Sequence, residues 1–408
     1  MKVSKKLLAL AAMLVVVAMV ATGCGGGSSS TGTGSTGGTT AAKTIKIGVG
    51  APLTAGAVAM GQGMKRATDL AVKQANEGAD AKAAGITFEV VAGDDQGDPK
   101  TGVTVANTFA SDPALVGVMG HLNSGVSIPS SKVYADKKIV MISPASTNPD
   151  LTKQGLMNVF RVCTTDAVQG PAAADFAFKT LGYKSAFVVD DSTPYGTGLA
   201  AAFATQFKAD GGTIVGNEKT SDKDTDFSAL ATKINGAKPD LLYYGGIYNA
   251  GALLSKQLHD AGFKGPLLGG DGLYAPDYIK LGGKTTEGDL CTSVGLPTDQ
   301  MPKGQDFIAA YKAAYPNDEM QAYDAYSYDA ANTIINAIVS VAKAQGAAAV
   351  TSPAGRDAII AAVAATDTDG VTGKIKFDAN GDTLNKTITL YVVKSGAWAP
   401  KANNLSAQ

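Results

Sequence analysis

Cysteine, histidine and tryptophan are scarce in this chain: 408 residues hold three, two and one of them. His121 and His259 leave too little imidazole for a histidine-based metal site, and no metal-ligand spacing is present. Charge is sparse as well, with 17% charged residues, a formal net charge of −1 and no long basic run. Nucleic acid needs a concentrated Lys/Arg footprint and is excluded as a partner. No apolar run reaches the ~20 residues of a membrane-spanning helix. The longest, "LLALAAMLVVVAMV" from Leu7 to Val20, has 14 residues. Ser124 does not stand in a G-x-S-x-G turn, and only two histidines offer a base, which argues against serine hydrolysis.

What is present begins with "MKVSKK", a basic start before that apolar run, and "ATGC" after it. The pattern reads as a secretory signal. It resembles the bacterial lipoprotein signal, cut before a cysteine that receives lipid, which would make Cys24 the lipidated residue; Ala21 stands where that signal favours Leu. An ordinary signal peptide or an uncleaved anchor are the other readings. Residues Gly25 to Ala42 contain only Gly, Ser, Thr and Ala. Such a segment cannot bury enough surface to fold and reads as a flexible tether. The expected division is therefore a signal over 1–23, a lipidated Cys and tether over 24–42, and a globular body beyond.

At this length two domains are the default, and the body spells its turns twice. "PALVGVMGHLNSG" (Pro113–Gly125) and "PDLLYYGGIYNAG" (Pro239–Gly251) share Pro, Leu, Gly, Asn and Gly at the same places, 126 residues apart. "MGQGM" (60–64) is answered by "YGTGL" (195–199), and "SPASTNPD" (143–150) by "GDGLYAPD" (270–277). Each follows a strand-like run, in the same order in both halves. Strands alternating with helices imply parallel sheets with crossover helices. Two similar lobes would then put their βα turns at the carboxyl edges of their sheets, where open α/β sheets bind ligands. One turn would form each wall of a cleft.

The run of "DDQGDPK" (94–100), "GHLNSG" (120–125), "ISPASTNPDLT" (142–152), "QGPAAA" (169–174), "YGTGLA" (195–200), "DLLYYGG" (240–246) and "GGDG" (269–272) resembles the type I periplasmic solute-binding proteins. The resemblance is to their leucine/isoleucine/valine-binding branch. It implies an α/β fold of two Rossmann-like lobes joined by three hinge crossovers. The lobes would be 43–163 plus 291–382 and 164–290 plus 383–402. It also implies an extracytoplasmic monomer that captures an amino acid for an ABC permease, with no cofactor and no enzymatic activity.

The resemblance assigns roles residue by residue. Ser124, in a turn with Leu122 and Asn123, would hold the ligand carboxylate. Thr147 would contact carboxylate and ammonium, the Ala145 carbonyl would face the ammonium, and Asp271, where the branch has Glu, would pair with it. Tyr195 would close over the ligand. Met60 and Ile247 replace tyrosines of the branch at the side-chain end, beside Tyr248. The branch's disulfide positions fall on Gly97 and Asn123, so that bond is absent, while Cys163 and Cys291 at the crossovers are candidates for another.

Blander readings accompany these. Ser124 and Asp271 suit ordinary turns, Tyr195 and Tyr248 suit packing, His121 reads as structural, and the tyrosines of "AYDAYSYDA" read as inward-packing. "GTGLAA" (196–201) fits a G-x-G-x-x-A dinucleotide fingerprint, but "DSTPY" intervenes between strand and glycine, where a true fingerprint turns tightly. Receptors of this fold for amides, urea, aromatic acids or sugars remain as alternatives.

Overall fold

Apolar runs bounded by glycines become the strands of two sheets in the computed structural model, which describes residues 42–405. Cys24 and the signal segment lie outside the described residues. The first sheet comprises β1 (Lys43–Ala51), β2 (Ile86–Asp94), β3 (Leu115–Gly120), β4 (Val140–Ser143) and β5 (Val159–Arg161). It is parallel throughout, in the order β2-β1-β3-β4-β5. Every residue of β3 and β4 is buried, as expected of parallel strands covered by helices on both faces.

The second sheet holds β6 (Ser185–Asp190), β7 (Thr213–Lys219), β8 (Leu241–Gly245), β9 (Leu267–Gly269) and β10 (Leu290–Val294). The chain then returns to the first lobe. There the helix Asp324–Gln345 packs on β3, β4 and the helix Val58–Glu77. A small ladder of β11 (Asp367–Asp369) and β12 (Lys374–Lys376) follows. Finally β13 (Ile388–Lys394) and β14 (Ala397–Leu405) extend the second sheet, ordered β14-β13-β10-β9-β8-β6-β7. Within this sheet only the β10-β13 and β13-β14 pairings are antiparallel. The two-lobed α/β architecture inferred from the repeated turns is therefore the one observed.

The chain passes between lobes three times: after β5, after β10, and between Asp382 and β13. The crossings lie together, since the Gly295 N–H donates to the Thr387 carbonyl at 2.8 Å and the Thr389 hydroxyl to the Gly295 carbonyl at 2.7 Å. Two expected boundaries shift. β10 pairs with β9 and β13, which carries the second lobe to Val294 and not 290. β14 carries the chain's end in that lobe to Leu405, past 402.

The candidate Cys163–Cys291 bridge is not formed: both are free, buried thiols. Cys291 lies inside β10, in register with Tyr391 and Gly269 of the second sheet. Cys163 instead turns its thiol toward the Ser146 carbonyl, 3.8 Å away. Burial raises both thiol pKa values well above the ordinary range, which leaves them protonated and inert.

Candidate ligand-binding site

The repeated turns meet. In the first lobe β3 runs through Gly120–Asn123 into the helix Ser124–Asp136, and β4 runs into the turn 144–148. In the second, β6 leads to the helix Pro194–Ala209, β8 to the helix Tyr248–Asp260, and β9 to the short turn Asp271–Leu273. Between them lies a narrow cavity of about 20 Å³, lined by Met60, Leu122, Asn123, Ser124, Ala145, Tyr195, Ile247, Gly272 and Tyr323. That is room for one water, so the cleft is drawn shut in this conformation. Direct bonds between the lobes hold it so. The Asn148 side chain donates to the Pro194 carbonyl at 2.7 Å, and that of Asn249 to the Gly56 carbonyl at 2.9 Å.

Of the candidates read from sequence, Met60, Leu122, Asn123, Ser124, Ala145, Tyr195 and Ile247 line the cavity. Thr147, Asp271 and Tyr248 do not. Tyr248 is buried and reaches the Ala59 backbone of the opposite lobe. Thr147 is buried beside Asp166, its hydroxyl without a well-formed partner in the protein. Asp271 sits one layer behind the wall. Its carboxylate accepts from the Tyr195 hydroxyl at 2.8 Å and from the Tyr323 hydroxyl, across the lobes, at 2.7 Å. The Tyr195 oxygen also accepts from the Gly272 N–H.

One end of the site is a helix start. Asn123 precedes the helix Ser124–Asp136 without capping it by side chain. First-turn N–H groups have no acceptor within a helix, and they attract anions. The Ser124 hydroxyl stands at that start and accepts from the Asn148 N–H at 3.2 Å.

The opposite end is acidic. Asp166, on the first turn of the helix Asp166–Asp175, is buried, and among the described residues neither carboxylate oxygen has a well-formed hydrogen-bond partner. Burial above all raises its pKa to about 8, with Asp271 adding to the rise and the Thr147 hydroxyl opposing it. Burial also raises Asp271, against the two tyrosine hydroxyls that hold it down. The nearby cation does not neutralise them. Arg161 is buried and fully engaged, with Nε on Asp382 at 2.5 Å, Nη1 on the Ser146 and Asn148 carbonyls at 2.8 Å each, and Nη2 on Thr152 at 2.6 Å. Two buried acids therefore lie behind the cleft wall, and among the described residues no cation forms an ion pair with either. Such a region favours an incoming positive group.

Sequence reading missed Asp166, Gln169 and Tyr323. Asp166 in "TTDAVQG" looks like any acid at a helix start, and the Gln169 amide, also buried without a well-formed partner, lies in the same turn. Tyr323 was grouped with the packing tyrosines of "AYDAYSYDA". It precedes the helix Asp324–Gln345 and so does not share that helix's face; locating the helix start would have separated it. His121 is structural, clamped in the core between Asp95 at 2.7 Å and the Tyr134 hydroxyl at 2.9 Å. Gly97 and Asn123, the positions of the branch's missing disulfide, do face each other: a Cβ at Gly97 would lie 3.4 Å from Asn123 Oδ1.

The dinucleotide-like glycine has another explanation. A Cβ at Gly196 would stand 2.3 Å from the Gly245 carbonyl oxygen and 2.2 Å from the Asp191 carboxylate. Gly196 thus lets the helix Pro194–Ala209 approach β8, and an acid occupies the place a pyrophosphate would need. Among the described residues no group of His, Cys, Asp or Glu is arranged to hold a metal, and no helix is long and apolar enough to cross a membrane.

Comparison with known proteins gives the same picture. Residues 44–397 match the family model described as periplasmic binding protein. A Leu/Ile/Val-binding protein homolog of Brucella melitensis biotype 1 is 38% identical over 309 residues, 75% of this chain and 82% of that relative. The crystal structure of a leucine-binding protein from Thermotoga maritima superposes with a TM-score of 0.80 at 30% identity, covering 88% of this chain and 98% of the other. A branched-chain amino acid transporter substrate-binding protein from Streptococcus pneumoniae, solved with isoleucine, gives 0.77 at 25% identity over 89% and 99%.

Proposed function

This chain belongs to the periplasmic binding protein family, and we propose that within it the protein is the amino acid receptor of an ABC importer. It is held outside the cytoplasm by a lipid on Cys24 and presents its closed form to a membrane permease. The observation that carries the amino acid assignment is the pair of buried acids, Asp166 and Asp271, with no cation of their own.

A zwitterion complements both ends of the cleft. Its carboxylate meets the Ser124 hydroxyl and the first-turn N–H groups of the helix Ser124–Asp136. Its ammonium turns to the Ala145 carbonyl, the Thr147 hydroxyl and the two acids behind them, whose ionised forms it favours. Charge-assisted hydrogen bonds of this kind are the stronger class. Tyr323 of one lobe and Tyr195 of the other both hold Asp271, so the ammonium end is complete only when the lobes meet. A ligand that needs both walls shifts the open–closed equilibrium toward closure.

A thermal-shift panel of amino acids, amides and urea, sugars and NAD tests this reading. A ligand at 100 times its dissociation constant stabilises by about 2.7 kcal/mol. Amino acids alone should raise the melting midpoint; a rise only with amides, sugars or NAD would refute the assignment.

A further inference from the structure

The narrow cavity continues outward. Asn123 and Ile247 belong both to its wall and to that of a second chamber of about 420 Å³ between the lobes. Met60, Leu122 and Ile247 give the narrow cavity apolar walls, and Ile247 is shared with the chamber, so a passage from one to the other would begin apolar. The chamber is not. The first lobe contributes Gln96, Asp98 and Asn123 to it, and the second Asp222, Lys223 and Asn249. Carboxylates outnumber ammonium groups there two to one; Asp98 caps the helix Pro99–Ser111, and the Thr101 N–H first, with Lys223 across the cleft last, holds its pKa down. Asn123, shared by both, has its Oδ1 buried without a hydrogen-bond partner among the described residues. An unmet buried acceptor is costly, and a donor that reaches it removes the penalty. Asn249 already ties this wall to closure through its bond to the Gly56 carbonyl.

Resting on the amino acid reading above, we propose that the ligand's side chain crosses the apolar passage and ends in this chamber. The site then selects an α-amino acid with an unbranched stem and N–H donors at its tip: a carboxamide, ureido or guanidinium group. A branched aliphatic side chain stops in the passage and leaves Asn123 Oδ1 unmet. A carboxylate tip meets Asp98 and Asp222.

Calorimetric titration of the full-length protein with leucine, isoleucine, valine, glutamine, citrulline, arginine and glutamate tests the proposal. A donor-tipped ligand should bind about tenfold or more tightly than leucine or glutamate, the scale of one hydrogen bond to a buried acceptor. Asn123→Leu should lower that preference over leucine about tenfold. Asp222→Asn, at an exposed position that does not threaten folding, should lower the preference for arginine roughly two- to fivefold, as for an exposed ion pair. Branched-chain ligands binding as tightly as every donor-tipped one would overturn the chamber assignment and leave the amino acid reading standing. So would a preference that neither substitution changes. Binding of no α-amino acid would overturn both.

Discussion

Asp166 and Asp271 are buried behind the cleft, and neither lines its narrow cavity. Their effect is electrostatic and therefore depends on pH. The Asp166 carboxyl has its pKa raised to about 8 in the folded protein, against an ordinary value of 3.8. A carboxyl raised in this way contributes stability that is fully present below its unfolded pKa and lost as pH rises through about 8. An ammonium beside it favours the ionised form. Amino acid binding near neutral pH should then release a proton, and affinity should rise with pH up to about 8. Calorimetry in two buffers of different ionisation enthalpy measures this directly; equal binding enthalpies in both would refute it. At this scale the sequence pointed to cavity-lining residues where they sit in turns that both lobes repeat, as Ser124, Ala145, Tyr195 and Ile247 do. It failed for Asp166 and Tyr323, whose roles come from burial and from the opposite lobe. Neither is written in the local pattern.

Among the elements, β5 and the crossing beside it depend on Arg161. This one buried side chain fastens β5 to Asp382, to Thr152 and to the carbonyls of Ser146 and Asn148 in the ligand turn. Removing one partner of a buried ion pair strands the other. Arg161→Met should cost about 3–5 kcal/mol in urea unfolding, and Arg161→Met with Asp382→Leu should recover part of the loss. An unchanged midpoint for the single variant would contradict this. The strands were legible because buried parallel strands read as apolar runs between glycines. The reach of the second lobe to Val294 was not, because β10 is fixed there by antiparallel pairing with β13, about 100 residues later in the chain. The fate of Cys163 and Cys291 was equally hidden, since sequence spacing says nothing about where two thiols point.

For the whole molecule, closure joins four contacts to one event. Asn148 with Pro194, Asn249 with Gly56, Tyr323 with Asp271 and Lys280 with Glu319 all bridge the lobes. Around the adjacent crossings a rotation can make or break them together. The doubled turns foretold the two walls, but not that the acid of one wall would be held by a tyrosine from the other. The central claim is that an ammonium supplies the charge these walls lack. The most direct test takes the tightest-binding amino acid and its deaminated analogue, compared by calorimetry. Loss of the ammonium should weaken binding about a hundredfold, the scale of hydrogen bonds to charged groups. Equal affinities would mean that Asp166 and Asp271 serve the fold and not the ligand.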